Sequence, residues 1–301
     1  MPLQPSELRA YAAHVAARDG SEASEVLKRL QREVTEGEFC LSDVFVTLDP
    51  TGKRVSGTVR IVAFGQDLIV LTEWRGDEGA CSYEAIAGLL AEVTARAAER
   101  GTKEMSTRVS LEGMTADYRR ALQDAGFVFQ GRRVEYKTPL PELPDERPSR
   151  LAWRTMAEVG EEPVLLLIRE ASAETPDGMD VEAGVSVIED VLGGSYDTLD
   201  PRAVQLGHLN GRPIGVLLTR VDPDSGWSAI QFMGVVPAFR GQGFGVDVHL
   251  HGIATMRALG GTLYHDGTSE SNAAMVHLFE KHGCIEHSRM EEWHWTPDIR
   301  Q

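Results

Sequence analysis

The sequence predicts an α/β (α+β) protein built from two similar halves, each a mixed, mostly antiparallel central sheet flanked by helices. Its 301 residues suit two domains of about 150 residues each. The same element order occurs twice: two helices, three strands, a helix, a strand, a helix and terminal strands. Between the two copies, residues 138–148 hold four prolines, which is typical of a stiff linker. We therefore predict a domain over 1–139, a linker over 140–150 and a second domain over 151–301.

Apolar residues at helical spacing and β-rich runs bounded by turn residues define the N-terminal half. Gly20 and Gly101 end helices, and Asp49-Pro-Thr-Gly52 is a turn between two strands. The longest helix has an apolar stripe that includes Ile86, Leu89, Leu90, Val93 and Ala97. The predicted helices are 6–19, 21–34, 83–100 and 118–124, and the predicted strands are 38–48, 54–64, 67–74, 105–109 and a last strand pair reaching Tyr136.

The C-terminal half repeats this order. Asn210-Gly211 is a strong signal for a two-residue hairpin turn, and Gly193-Gly194 ends a helix. The predicted strands are 151–154, 203–209, 213–221, 227–236, 262–266 and a final strand ending at Trp295, and the predicted helices are 158–171, 181–192, 246–259 and 272–282.

A glycine-rich loop joins the strand 227–236 to the next helix. The segment Ile230–Gly245 consists of an apolar strand, a proline, an arginine and three alternating glycines. Such a loop at a helix N-terminus turns several backbone N–H groups inward and binds anions such as pyrophosphate. The dinucleotide fingerprint requires G-x-G-x-x-G, whereas this loop reads G-x-G-x-G, and no lysine completes an ATP loop.

The remaining pattern, V-x-P-x-x-R-G-x-G-x-G, resembles the acyl-CoA-binding motif of the GNAT superfamily of N-acetyltransferases. The resemblance implies acetyl-CoA as co-substrate and a strand that splays from its neighbour to admit the pantetheine arm. Gly234 indicates a bulge or a close backbone approach, and a backbone N–H near Val235 could polarise the thioester carbonyl. The resemblance and this loop chemistry together indicate the following cofactor-binding residues: Met233, Gly234, Val235, Val236, Arg240, Gly241, Gln242, Gly243, Phe244, Gly245 and Val246.

A second segment, Asn272–Gly283, resembles the other signature of this family, N-x-x-A-x-x-L-Y-x-x-x-G-F. Asn272 is also a plausible helix N-cap, and in the family this position lies beside the pantetheine arm. Phe279 stands where many members carry a tyrosine that protonates the leaving thiolate, and phenylalanine has no proton to give. Asn272 and Phe279 complete the predicted cofactor site.

The amine must attack in its neutral form, so the reaction needs a base. The strand before the loop offers only Gln231 where many relatives keep a glutamate. His265 and Asp266 on the neighbouring strand are the candidate catalytic residues. Strand alternation places them on opposite faces, so at most one is expected to face the cleft.

The N-terminal half is interpreted as degenerate. Its comparable loop reads Arg75-Gly76-Asp77-Glu78-Gly79, which places two carboxylates where a diphosphate must lie. Like charges in close contact cost on the order of 1 kcal/mol per pair in water and more when desolvated. We expect this half to have lost acyl-CoA binding.

Composition limits the partners. The formal charge of −16 disfavours nucleic acid, no signal or membrane-spanning pattern is present, and three scattered cysteines indicate neither a disulfide framework nor a metal site. We expect a cytoplasmic N-acetyltransferase for a small amine, of unassigned oligomeric state. The alternatives are a non-catalytic acyl-CoA binder or sensor, and a transferase for a longer acyl group.

Overall fold

The computed structural model describes residues 2–36, 40–48, 55–64, 68–76, 83–145, 148–173, 200 and 202–297. The chain forms two compact units, residues 1–131 with 290–301, and residues 132–289. The boundaries between the two units, after residue 131 and after residue 289, therefore do not coincide with the predicted linker over 140–150. The cause is strand pairing, because residues 133–139 extend the sheet of the second unit and residues 290–295 extend that of the first.

The first unit is a mixed sheet with helices. Its strands follow the order β1-β2-β3-β4 and then residues 290–295, with β3 and β4 parallel and the other neighbours antiparallel. The predicted stripe of the longest helix is buried in a core that includes Phe45, Tyr118, Trp293 and Trp295. The elements are α1 Leu8–Asp19, α2 Ala23–Glu36, β1 Val44–Leu48, β2 Val55–Phe64, β3 Leu68–Gly76, α3 Tyr83–Glu99, β4 Glu104–Ser110 and α4 Ala116–Asp124.

A single long strand, β5, Val128–Pro139, replaces the strand pair predicted before Tyr136. The chain runs straight through Gly131, which is extended at φ 157°, so no turn forms there. The last strand of the chain, Glu286–Trp295, also runs without a break.

The second unit has the strand order β6-β7-β8-β9-β10-β5. Only the β9–β10 pair is parallel within this sheet of described strands. The elements are β6 Ala152–Thr155, α5 Met156–Val159, α6 Glu161–Ser172, β7 Val204–Leu209, β8 Arg212–Val221, β9 Trp227–Val235, α7 Phe244–Ala258, β10 Leu263–Ser269, α8 Ala273–Lys281 and β11 Glu286–Trp295, of which residues 286–289 belong to this unit.

The predicted hairpin turn between β7 and β8 is confirmed. Asn210 and Gly211 have φ angles of 51° and 84°, as a two-residue turn with both central residues left-handed requires. The predicted fold class, a mostly antiparallel mixed sheet with helices, is also confirmed. The predicted turn 49–52, the acidic loop residues 77–79 and the helix 181–192 lie outside the described residues. Within the described ranges, every helix is too short or too polar to span a bilayer.

Candidate active site

A fork opens between β9 and β10. The two strands pair only at Trp227 with Leu263 and at Ser228 with Tyr264. Beyond this point the Ile230 N–H donates to the Asp266 carboxylate, with 3.3 Å between N and Oδ2, rather than to a strand carbonyl. The Asp266 side chain thus stands at the base of the fork, where the ladder ends.

A β-bulge directs backbone N–H groups into this fork. Leu218 is opposite Phe232 and Thr219 is opposite Ile230, so Gln231 is the extra residue of β9. The Val236 N–H donates to the Ile214 carbonyl of β8, at 3.0 Å.

Because alternate residues of a strand face the same edge, the N–H groups of Met233 and Val235 face away from β8 and into the fork. Gly234 lies close to Ala171, as the predicted close approach requires. The β-bulge at Gln231 lies three residues before it. A Cβ at Gly234 would lie 2.8 Å from the Ala171 Cβ.

The glycine loop leads from the fork to the start of α7. Gly241 and Gly243 have φ angles of 73° and 80°, a conformation that favours glycine, and Gly243 is the N-cap of α7. Residues 241–243 are exposed. The first N–H groups of a helix have no partner within the helix, so this loop presents amide donors at a positive dipole end, as an anion site requires.

Arg240 anchors the loop by its side chain. Its Nε donates to the Val235 carbonyl at 3.0 Å, and its Nη2 donates to the carbonyls of Ala171 and Ala173, both at 2.9 Å. These carbonyls lie at the C-terminal end of α6, the negative end of the helix dipole. Arg240 therefore holds the glycine loop against the C-terminal end of α6.

The remaining loop residues support the same turn. Phe244 is buried and meets Phe239 edge-on with ring centroids 6.2 Å apart. The exposed Gln242 donates from its side chain to the Ala238 carbonyl at 3.3 Å, and the Val246 N–H donates to the Gly243 carbonyl at 3.2 Å. A Cβ at Gly245 would lie 3.4 Å from the Leu278 side chain, so α8 packs against the first turn of α7.

Arg150 is a residue of this site that the sequence reasoning missed. Its Nε donates to Asp247 Oδ2 at 2.8 Å and its Nη1 donates to the Gln242 carbonyl at 3.0 Å. The guanidinium lies 4.2 Å over the Phe244 ring and its side chain is 46% exposed, whereas that of Asp247 is 1% exposed. A cation thus lies at the anion loop. No local pattern reveals it, because Arg150 follows the proline-rich segment and is 97 residues from Asp247.

We predict that Arg150→Met weakens CoA binding about tenfold, because the loop loses both a cation and a tie to the Gln242 carbonyl. It also lowers the free energy of unfolding by about 1–3 kcal/mol, since the buried Asp247 carboxylate loses its cation. Calorimetric titration with CoA and thermal unfolding measure the two effects. Arg202→Met, which breaks an exposed arginine–aspartate pair, is the control, and unchanged CoA affinity in Arg150→Met would contradict the prediction.

The two residues of the second signature have different environments. Asn272 is the N-cap of α8, with its Oδ1 accepting from the Met275 N–H at 3.2 Å. Phe279 is 1% exposed, stacked on Tyr136 at 4.5 Å and edge-on to His249 at 5.4 Å. Phe279 is thus part of the core of the second unit.

The two candidate bases lie on opposite faces of β10, as predicted. Asp266 accepts from the Tyr264 hydroxyl at 2.9 Å and from the Gly267 N–H at 2.8 Å. Burial raises the pKa of the Asp266 carboxyl from 3.8 to about 7, which suits a base at neutral pH.

His265 accepts from Trp227 Nε1 at 3.3 Å and lies 3.9 Å from the Glu135 carboxylate. Burial lowers its pKa. Of the two, Asp266 is the one in the fork.

Comparisons with known proteins agree with this geometry. Residues 192–284 match the model of the acetyltransferase (GNAT) family. No curated protein matches the sequence significantly. The matched segment, which contains β9, the glycine loop and β10, is similar to acetyltransferases of the GNAT type.

Three solved structures have similar folds. A GCN5-related N-acetyltransferase from Sphaerobacter thermophilus has 14% identity and a TM-score of 0.65, with 99% of this chain and 96% of that chain covered. One from Kribbella flavida has 12% identity and a TM-score of 0.53, covering 89% and 95%. A tandem GNAT protein from the clavulanic acid biosynthesis pathway has 13% identity and a TM-score of 0.52, covering 83% and 82%. Likenesses at these identities establish the fold.

Proposed function

We propose that this protein is an acetyl-CoA-dependent N-acetyltransferase that acts on a small amine by direct attack. The observation that carries the proposal is that the forked strand β9 leads directly into the open glycine loop at the start of α7. The fork presents the N–H groups of Met233 and Val235, and the loop presents the amides of a helix N-terminus. This arrangement of donors suits a thioester whose diphosphate lies at the loop.

Different residues of the chain bind the cofactor, stabilise the developing charge and accept the proton. The loop amides and Arg150 hold the diphosphate, and the fork N–H groups donate to carbonyl oxygens of the arm and the acyl group, stabilising negative charge that develops during attack. Acetyl-CoA supplies the activated acyl carbon and a thiol leaving group. The amine nitrogen forms the new C–N bond, the C–S bond breaks with its electron pair on sulfur, and the amine proton passes to Asp266.

No tyrosine is needed to protonate the leaving group. The buried Phe279 stands in that position, and a thiol with a pKa near roughly 8.5 leaves as the thiolate without help. We favour Asp266 over His265 as the general base, because the Asp266 carboxylate lies where the β9–β10 ladder ends and its pKa is raised to about 7.

The proposal is tested by thiol release from acetyl-CoA across a panel of small amines, with CoA affinity measured in parallel by calorimetry. Turnover on an amine supports it. Tight CoA binding without turnover on any amine would favour a non-catalytic acyl-CoA binder, and preferential use of longer acyl-CoAs would identify a transferase for a longer acyl group. Absence of CoA binding would overturn all three.

We also propose that only the second unit binds CoA. The acidic residues Asp77 and Glu78 in the loop of the first half carry this proposal through their charge. Calorimetry should give one CoA per chain, and the Gly243→Val variant should retain no second site. A stoichiometry of two would contradict it.

A further inference from the structure

Behind the fork, a row of buried polar side chains runs from Asp266 into the core of the second unit. The Tyr264 hydroxyl lies 2.9 Å from Asp266 Oδ2, and His249 Nε2 lies 3.1 Å from that hydroxyl. His249 Nδ1 lies 2.6 Å from His282 Nδ1. We name Tyr264, His249 and His282 the polar chain; the first two are 0% exposed and His282 is 7% exposed. Polar groups are costly to bury in an apolar core unless they are hydrogen-bonded. The hydrogen bonds between these side chains offset that cost.

The donors of the polar chain can be assigned from one end. An ionised carboxylate only accepts hydrogen bonds, so the Tyr264 hydroxyl donates to Asp266. The Tyr264 oxygen then accepts from His249 Nε2–H.

Burial and His282 lower the pKa of His249 to about 3, so His249 is neutral and carries only that one N–H. Its Nδ1 therefore accepts from His282 Nδ1–H. Every donor in the polar chain points towards Asp266.

We propose that the polar chain positions Asp266 in the fork as an ionised base. This inference rests on the proposed function. Tyr264 and His249 each accept one hydrogen bond and donate the next, so the bond that Tyr264 donates to the carboxylate depends on His249 and His282.

The polar chain begins at His282, the C-cap of α8, and ends on the Asp266 carboxylate. Its hydrogen bonds therefore run in one direction, and each supports the bond that holds Asp266 in its ionised form.

Other titratable groups near Asp266 lie outside the polar chain. Glu135 on β5 raises the pKa of Asp266. Tyr136, which is opposite Asp266 in the β5–β10 register, has its own pKa raised by burial. Burial raises the pKa of the Cys284 thiol to about 12, so it stays protonated at neutral pH. From β9 only the backbone N–H of Ile230 donates to the carboxylate.

The tautomers are tested first in the unaltered protein. Nitrogen chemical shifts of ¹⁵N-labelled histidines should show His249 protonated on Nε2 and His282 on Nδ1 above pH 7. The opposite tautomer of His249 would overturn the proposal. This measurement needs no turnover, so its failure and the failure of the proposed acetyl transfer are separate results.

The coupling is tested by infrared titration of Asp266, identified as the band lost in Asp266→Asn. Tyr264→Phe removes the donor and should raise the titration midpoint by about one pH unit. His282→Leu leaves His249 free to change tautomer, and should raise the midpoint in the same direction although His282 does not contact Asp266. Tyr136→Phe, a buried tyrosine outside the polar chain, should leave it unchanged. An unshifted midpoint in Tyr264→Phe, or equal shifts in Tyr264→Phe and Tyr136→Phe, would overturn the proposal.

Discussion

Replacing Gly243 with valine should reduce CoA affinity more than about 100-fold, a loss of roughly 2.7 kcal/mol of binding free energy. Gly243 has φ 80° and ψ 8° and caps α7. A left-handed conformation costs a residue with a Cβ roughly 1–2 kcal/mol, and a β-branched side chain is a greater outlier there. The chain relieves this strain by moving the loop, and the amides of the first turn of α7 then no longer converge on one anion.

The matched control for this change is Gly260→Val. Gly260 follows α7 with φ 91°, and a Cβ there meets nothing within 4 Å, so the strain is similar but lies away from the loop. Both variants should lose thermal stability to a similar extent, and only Gly243→Val should lose CoA binding in a calorimetric titration. Equal CoA affinity in the two variants would remove the basis for assigning the loop to the cofactor.

The loop could be predicted from the sequence because its requirements are local. Left-handed glycines and a helix start leave a short pattern, and Gly241 and Gly243 adopt the conformation that the pattern implies. The opposite faces of His265 and Asp266 follow from strand alternation alone. The hairpin turn at Asn210-Gly211 is equally local.

The unpredicted features depend on contacts between distant residues. Whether residues 132–139 pair within their own half or with β10 depends on competing strand edges, which composition does not reveal. Arg150 and His282 are separated by 97 and 33 residues from the side chains that they bind. His249 lies on a helix whose faces are both largely buried, so helical spacing alone could not assign it a partner.

Substituting Asp266 with asparagine should lower kcat by roughly 10²–10⁴-fold, the usual contribution of a general base, with CoA affinity nearly unchanged. Asparagine fills the same volume but accepts no proton from the amine. In the unaltered protein, the base works only when ionised, and its pKa is raised from 3.8 to about 7 by burial. Activity should therefore fall as pH drops through about 7 and reach a plateau above it, and Asp266→Asn should abolish this acid limb.

The control for Asp266 is the neighbouring candidate. His265→Gln alters the opposite face of β10, where the imidazole contacts Trp227 and Glu135, and should change kcat less than about fivefold while retaining the acid limb near pH 7. Steady-state rates of thiol release between pH 5.5 and 9 distinguish the two residues. If His265→Gln loses the acid limb and Asp266→Asn keeps it, the base is His265. The acceptor amine would then approach from the face of β10 that carries Trp227 and Glu135, and Asp266 would serve only to end the β9–β10 ladder and open the fork.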